Sequence, residues 1–197
     1  MPSLLKRASP TITDMIRFDH SHTLITYHQY TADKMSVTKR SLAETICAAL
    51  EIHATLEEEI FYPALQAFAA SEPVLQKSEP EHQAMRALIA QIRSTDASLP
   101  LHAELVHKLM QEVIHHVADE EAVLLPMAEQ RLSKQQLCEL GAEMTKRRME
   151  LVAPQAGKLA VNTFVGMSGS TVVKTIGAIA AVAALGMLGQ HKRPVKS

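Results

Sequence analysis

The chain of 197 residues has no tryptophan, and aromatic residues make up only 4% of it. β-Sheets want β-branched and aromatic side chains, whereas Ala, Leu, Glu and Met abound here, so helices are favoured over strands. Seven glycines leave few tight hairpin turns, and an all-β fold is close to excluded. Cysteine is also scarce. Cys47 and Cys138 form neither a disulfide framework nor a zinc cluster, and both read as small apolar core residues. The opening stretch, MPSLLKRASPTITDM, has no apolar core of a secretory signal, so a cytoplasmic location is expected. Net charge is nearly absent, at −1, but it is unevenly spread. Residues 154–197 hold Lys158, Lys174, Lys192, Arg193 and Lys196 and no acid, which leaves 15 basic and 21 acidic residues (−6) in the first 153. An acidic body lacks the clustered basic face of a nucleic-acid binder, so no nucleic-acid partner is expected.

An apolar share of 47% supports one sizeable domain with an appendage. A short tail covers residues 1–10. Thr11 or Thr13 can cap a first helix reaching about Asp33, and a second runs from about Thr38 to Ala70 with Pro63 bending or ending its regular part. Ser78-Glu-Pro-Glu81 has the form of a capping box and predicts the start of a third helix, to about Thr95. Pro100 opens a fourth, to about Arg131, with Pro126 inside it much as Pro63 lies in the second. Long helices with short connections predict an all-α, up-down-up-down four-helix bundle over 11–132. Ser133 caps an additional amphipathic helix, 133–153. The last segment, 154–197, is basic and rich in Ala and Gly, and Ile176–Leu188 has no polar side chain. Two readings stand for it: a membrane-associated or spanning helix, with Lys174 snorkelling, or a buried or self-associating helix of a soluble assembly. Either way a membrane or homo-oligomer contact is expected through 170–190.

Ten histidines are many for this length, and histidine is the commonest metal ligand. Their spacing is repetitive. His53, Glu57, Glu58 and Pro63 are matched by His116, Glu120, Glu121 and Pro126, each 63 residues on. Asp19-His20 is matched by Glu81-His82, 62 residues on. The chain therefore reads as two helix pairs, each with a lone His on one helix and His-x-x-x-Glu on the next. Residues four apart share a helix face, so each HxxxE directs an imidazole and a carboxylate at one point. Adding His20 and His82 gives four His and two Glu converging on the bundle axis. Unpaired buried carboxylates would cost several kcal/mol each, and a cation is the direct compensation. Two metals suit six donors better than one, and mixed imidazole and carboxylate donors suit iron, with manganese as the alternative, more than magnesium or calcium. A lone His–Glu pair is commonly a surface pair; duplication in register argues otherwise. Glu58 and Glu121 are turned about 100° from the ligand face and read as supporting or exposed residues. His22 is the alternative to His20 as first ligand, but His20 has a matched partner.

The ordered set His20, His53-x-x-x-Glu57, His82, His116-x-x-x-Glu120 resembles the hemerythrin-like, or HHE cation-binding, family over about residues 11–130. The resemblance implies a non-haem di-iron centre, oxo- or hydroxo-bridged, with His20, His53, Glu57, His82, His116 and Glu120 as ligands. It also implies a function among oxygen carriers, oxygen or redox sensors, iron-dependent ligase sensors and proteins that repair iron–sulfur clusters in a stress response. Oxygen carriers of the family have a fifth His one turn after the third-helix ligand; here that position is Arg86. On a six-coordinate geometry this leaves about two open metal positions, where a small diatomic or peroxide ligand would react. Tyr27, two turns after His20, is a candidate hydrogen-bond donor to such a ligand. Ferritin-like sites use Glu-x-x-His, the opposite order and a shorter step. The expected function is thus a di-iron protein that binds or reduces O2, peroxide or NO, as a possible oxidoreductase. The alternative is a sensing module that signals through its C-terminal helix without turnover.

Overall fold

The computed structural model describes residues 10–166. Among these there is no strand. Helix α1 is Ile12–His28, capped by the Thr11 side chain, which accepts from the Asp14 amide at 3.1 Å. Helix α2 is Ser36–Leu56, and it passes through a wide turn, Glu57–Phe61, into α3, Tyr62–Ala69. Helix α4 is Pro73–Ser94. Helix α5, Pro100–Asp119, passes through a second wide turn, Glu120–Leu124, into α6, Leu125–Arg131. Helix α7 is Lys134–Val152, with a complete capping box between Ser133 and Gln136, and a short 3-10 turn leads to α8, Ala156–Gly166.

Contacts run from α1 to α2, α2 to α4, α4 to α5, and back from α6 to α1, which closes a four-helix bundle. Helix α7 lies along α1 and α2, and α8 runs against α2. Gly141 permits the first of these approaches, because a Cβ there would lie 2.2 Å from the carbonyl oxygen of Pro10.

The predicted first helix ends early, at His28, because Tyr30 bonds back to Tyr27 and Thr31–Lys34 form a turn. The third begins at Pro73, not Ser78, since Pro73 supplies a ready-made first turn and the Ser78 hydroxyl donates to the Val74 carbonyl within the helix. The regular part of each helix ends ahead of Pro63 and Pro126, at Leu56 and Asp119, but the chain does not leave the helix. In each case the chain instead takes a turn in which Tyr62 and Leu125 donate to the carbonyls of Glu57 and Glu120, five residues back. The widened turn gives each proline room that a regular helix would deny it.

The apolar interior is divided. One cluster, around Ile12, Ile16, Leu56, Phe61, Leu65 and Leu124, fills the end nearest α7. Another, around Ile46, Leu50, Ile89, Leu109, Met110 and Val113, fills the opposite end. Along each helix the predicted ligands fall between the two: His53 follows Leu50 and precedes Leu56, and His116 lies between Val113 and Leu124. A polar layer thus separates two hydrophobic ends. No helix of the described residues is long and apolar enough to cross a membrane. The segment at 170–190, with its membrane or self-association reading, lies outside the described residues, as do residues 1–9.

Candidate metal centre

The structure brings the six residues of the repeat together in that layer. His20, His53, Glu57 and Glu120 each present a donor atom within 4.8 Å of the others, and Glu57, His82 and His116 do the same. The two groups share Glu57. All six side chains are buried, with both carboxylates at 0% exposure. His53 Nε2 lies 3.1 Å from Glu57 Oε2, His82 Nε2 3.4 Å from the same oxygen, and His20 Nε2 3.4 Å from Glu120 Oε2. The Nε2 atoms of His82 and His116 are 3.1 Å apart.

Every imidazole turns its other nitrogen outward to a carboxylate on a different helix segment. His20 Nδ1 meets Glu121 at 2.8 Å, His82 meets Glu58 at 3.0 Å, His116 meets Glu81 at 2.8 Å, and His53 faces Asp19 at 3.6 Å. Such partners set the tautomer and ring orientation of a metal-binding histidine. The four carboxylates follow the same duplication: Asp19 and Glu81 precede a ligand, Glu58 and Glu121 follow one. Glu58 is itself gripped by Arg86, both contacts at 2.8 Å. Arg86, where oxygen carriers would have a fifth imidazole, therefore serves the ring of acids instead. Asp19 is gripped by Arg148, at 2.7 and 2.6 Å.

Proximity alters the proton affinities. Burial, then the neighbouring Glu120 charge, pushes Glu57 well above the usual carboxylate range. For Glu120 burial acts the same way but is outweighed by His20 and the other imidazoles, which hold it low. Burial would also lower His20, but Glu120 and Glu57 raise it to about 9. Burial lowers His53 to about 4, so it stays neutral with a free lone pair. One proton on Glu57 and one on His20 thus offset much of the charge that the two acids would otherwise concentrate. The compensation is incomplete: His20 Nε2, Glu57 Oε1 and Glu120 Oε2 are buried without a hydrogen-bond partner. Unpaired buried polar atoms each cost about 1–3 kcal/mol, and a cation among them would satisfy all three. The residues present fit a metal.

Tyr62 was not foreseen from the sequence. Its hydroxyl lies 2.9 Å from Glu120 Oε1 and 3.2 Å from Glu57 Oε2, and its ring stacks on His82 at 5.7 Å. At 3.6 residues per turn a residue five positions on points about 140° away. The wide turn at Glu57–Phe61 returns Tyr62 over Glu57 instead. The counterpart in the second half is Leu125, so only one half carries a phenol. Burial and the two carboxylates raise the Tyr62 phenol well above its usual range, so it remains a donor. Tyr27, proposed for this role, is elsewhere: its hydroxyl bonds His107 Nδ1 at 2.8 Å, because seven residues of helix carry it about 10 Å along the axis. His22 stacks on Phe18 and joins neither donor group. Glu81, His115 and Asp119 form a further acidic cluster at the surface, but the Lys77 ammonium already bridges its two carboxylates.

A family profile for the hemerythrin HHE cation-binding domain matches residues 11–128, more than half of the sequence. The chain belongs to that family. The HHE domain binds metal cations, and the His/Glu clusters agree with it. The crystal structure of a hemerythrin HHE cation-binding domain-containing protein from Mycobacterium kansasii superposes on this HHE protein with a TM-score of 0.65. The match covers 76% of this chain and 92% of that one at 20% identity, a likeness of fold. A DNA nickase of Nostoc sp. (strain PCC 7120) is 32% identical over 127 residues, 64% of this chain. The HHE chain spans only 35% of that relative's length.

Proposed function

We propose that this HHE protein is a non-haem di-iron protein that binds or reduces a small oxidant: O2, peroxide or nitric oxide. The observation that carries the reading is the pair of donor groups sharing Glu57, with buried His20 Nε2, Glu57 Oε1 and Glu120 Oε2 left unpaired among them. Two imidazoles on each side of the two carboxylates supply a terminal pair for each of two ions, and the donor set suits iron, or manganese, better than harder cations. Iron held there would supply a redox-active Lewis acid. The protein's own part is to hold four imidazoles by their outer nitrogens, to exclude water with apolar clusters above and below, and to keep one proton on Tyr62 beside both acids.

The six donors leave coordination positions for a small ligand, and Arg86 gives up the fifth imidazole of a carrier to orient Glu58. A second reading, an iron-, oxygen- or redox-sensing module without turnover, draws support from the contact between α7 and Asp19. Buried free thiols at Cys47 and Cys138 are in keeping with a cytoplasmic protein. The net acidity of the first 153 residues gives no support for contact with DNA. Iron stoichiometry, with optical spectra of reduced, oxidised and NO-treated protein, tests the proposal. About two irons per chain and an absorption band that responds to O2, peroxide or NO is the expected result. Protein grown in iron medium that holds no stoichiometric iron would overturn it. Catalytic consumption of peroxide or NO separates the enzyme from the sensor.

A further inference from the structure

Three of the four outer carboxylates are held from within the matched domain or stand at its edge. Asp19 differs. Its partner, Arg148, belongs to α7, beyond residue 128 where the family match ends and 129 residues from Asp19 in sequence. Both terminal nitrogens of the guanidinium bond the two carboxylate oxygens, a bidentate geometry that fixes the plane of Asp19 as well as its place. Asp19 in turn faces His53 Nδ1 at 3.6 Å, the longest of the four outer contacts and beyond a formed hydrogen bond. Asp19 is the acid that faces this nitrogen, so small shifts of its carboxylate decide whether that hydrogen bond closes. Arg148 also leaves its buried Nε without a partner. The neighbouring Arg147 shows the ordinary way of fastening α7. Arg147 joins Glu59 at 2.6 and 3.0 Å on the exposed side of the same helix, with no route to a ligand nitrogen.

We propose that Arg148 is a positioning residue of the metal centre: by gripping Asp19 it holds the carboxylate that faces His53 Nδ1 and so biases the orientation of that ring, which makes α7 part of the metal site. The coupling is reciprocal. Detaching α7 weakens metal binding, and metal binding fastens α7, which leads directly through Ala153–Gln155 into α8 and the C-terminal segment. This rests on the metal-binding reading above and specifies how the accessory helix would take part in it.

The test uses the full chain with Arg148→Ala, Arg148→Lys and Arg147→Ala, each titrated anaerobically with Fe(II) against a competing chelator. Hydrogen exchange over residues 134–152 is followed with and without Fe(II). Losing a partner that orients a metal ligand typically weakens binding about 10–100-fold, and that is expected for Arg148→Ala. Arg147→Ala should stay within about threefold, as an exposed ion pair is worth little. Arg148→Lys keeps the charge without the fork and should fall between them. Fe(II) should slow exchange in α7 of the wild type and not of Arg148→Ala. Equal affinities of wild type and Arg148→Ala, equal losses in the Arg147 and Arg148 variants, or exchange in α7 indifferent to Fe(II) would each overturn the proposal. If Arg148→Ala fails to fold, Arg148→Lys decides by the same criteria. Wild-type protein that takes up no Fe(II) would instead sink the di-iron reading, and this inference with it.

Discussion

Replacing Glu57 by glutamine should stabilise the metal-free protein while abolishing its response to iron. Glu57 is fully buried, beside a second buried carboxylate, with Oε1 unpaired. In metal-free solution its carboxyl is forced toward the protonated form by burial and by Glu120. Glutamine has the same shape, is neutral at every pH and adds amide hydrogens that the neighbouring acid can accept. One amide hydrogen donated to the charged Glu120 carboxylate is worth about 1–2 kcal/mol. For a domain of this size about 2–4 °C of melting temperature corresponds to each kcal/mol, so chelated Glu57→Gln should melt about 2–8 °C above chelated wild type. Iron reverses the order. Wild type with free Fe(II) at a hundred times Kd gains about 2.7 kcal/mol, or roughly 5–11 °C, whereas the variant lacks the shared donor and gains little. Anaerobic calorimetry of both proteins, with chelator and with Fe(II), measures all four midpoints. A chelated midpoint of Glu57→Gln below that of wild type, or an iron-induced rise as large as that of wild type, would refute this account of Glu57.

Other outcomes follow from the same geometry. Because His20 is raised from 6.5 to about 9, its proton must leave as a metal arrives, so Fe(II) affinity should climb from pH 6.5 toward 9. The stability contributed by protonated His20 in chelated protein is complete below pH 6.5 and is lost as pH rises through about 9, so the melting-temperature gap between loaded and chelated protein should widen with pH. Tyr62→Phe removes the donor shared by Glu57 and Glu120; chelated protein should lose about 1–3 kcal/mol, and the iron-loaded optical spectrum should shift with iron stoichiometry unchanged. Gly141→Ala places a methyl 2.2 Å from the Pro10 carbonyl oxygen, so chemical denaturation should show a loss of about 1–3 kcal/mol and proteolysis should cut α7 first.

What could be read from the sequence depended on whether the helix kept a constant pitch. The gathering of His20, His53, Glu57, His82, His116 and Glu120 follows from steps of four residues within regular helix and from an offset that repeats. Tyr62 is hidden in the sequence because the step from Glu57 crosses a turn one residue wider than the rest, and only the recurrence of Pro63 and Pro126 in the repeat hints at it. Tyr27 shows the opposite case: a constant pitch places it on the face of His20, but rise along the axis takes it to another layer. The sequence puts the start of the third helix too late because a serine, a proline and a glutamate that would suit a cap are also tolerated one turn inside a helix begun by Pro73. Asp19 and Glu81 were visible as acids preceding the matched histidines, but which imidazole each supports depends on how neighbouring helices face one another. The link from Arg148 to Asp19 has no periodic signature at all, since it is a contact between elements far apart in the chain.

The division of the interior into two apolar ends gives the molecule a waist. Elsewhere in the bundle cohesion is oily and indifferent to solutes, but at this girdle it is ionic and can be added or withdrawn by whatever occupies it. A metal held there would tie the helices to one another at that level; without it, the layer keeps three buried polar atoms unpaired.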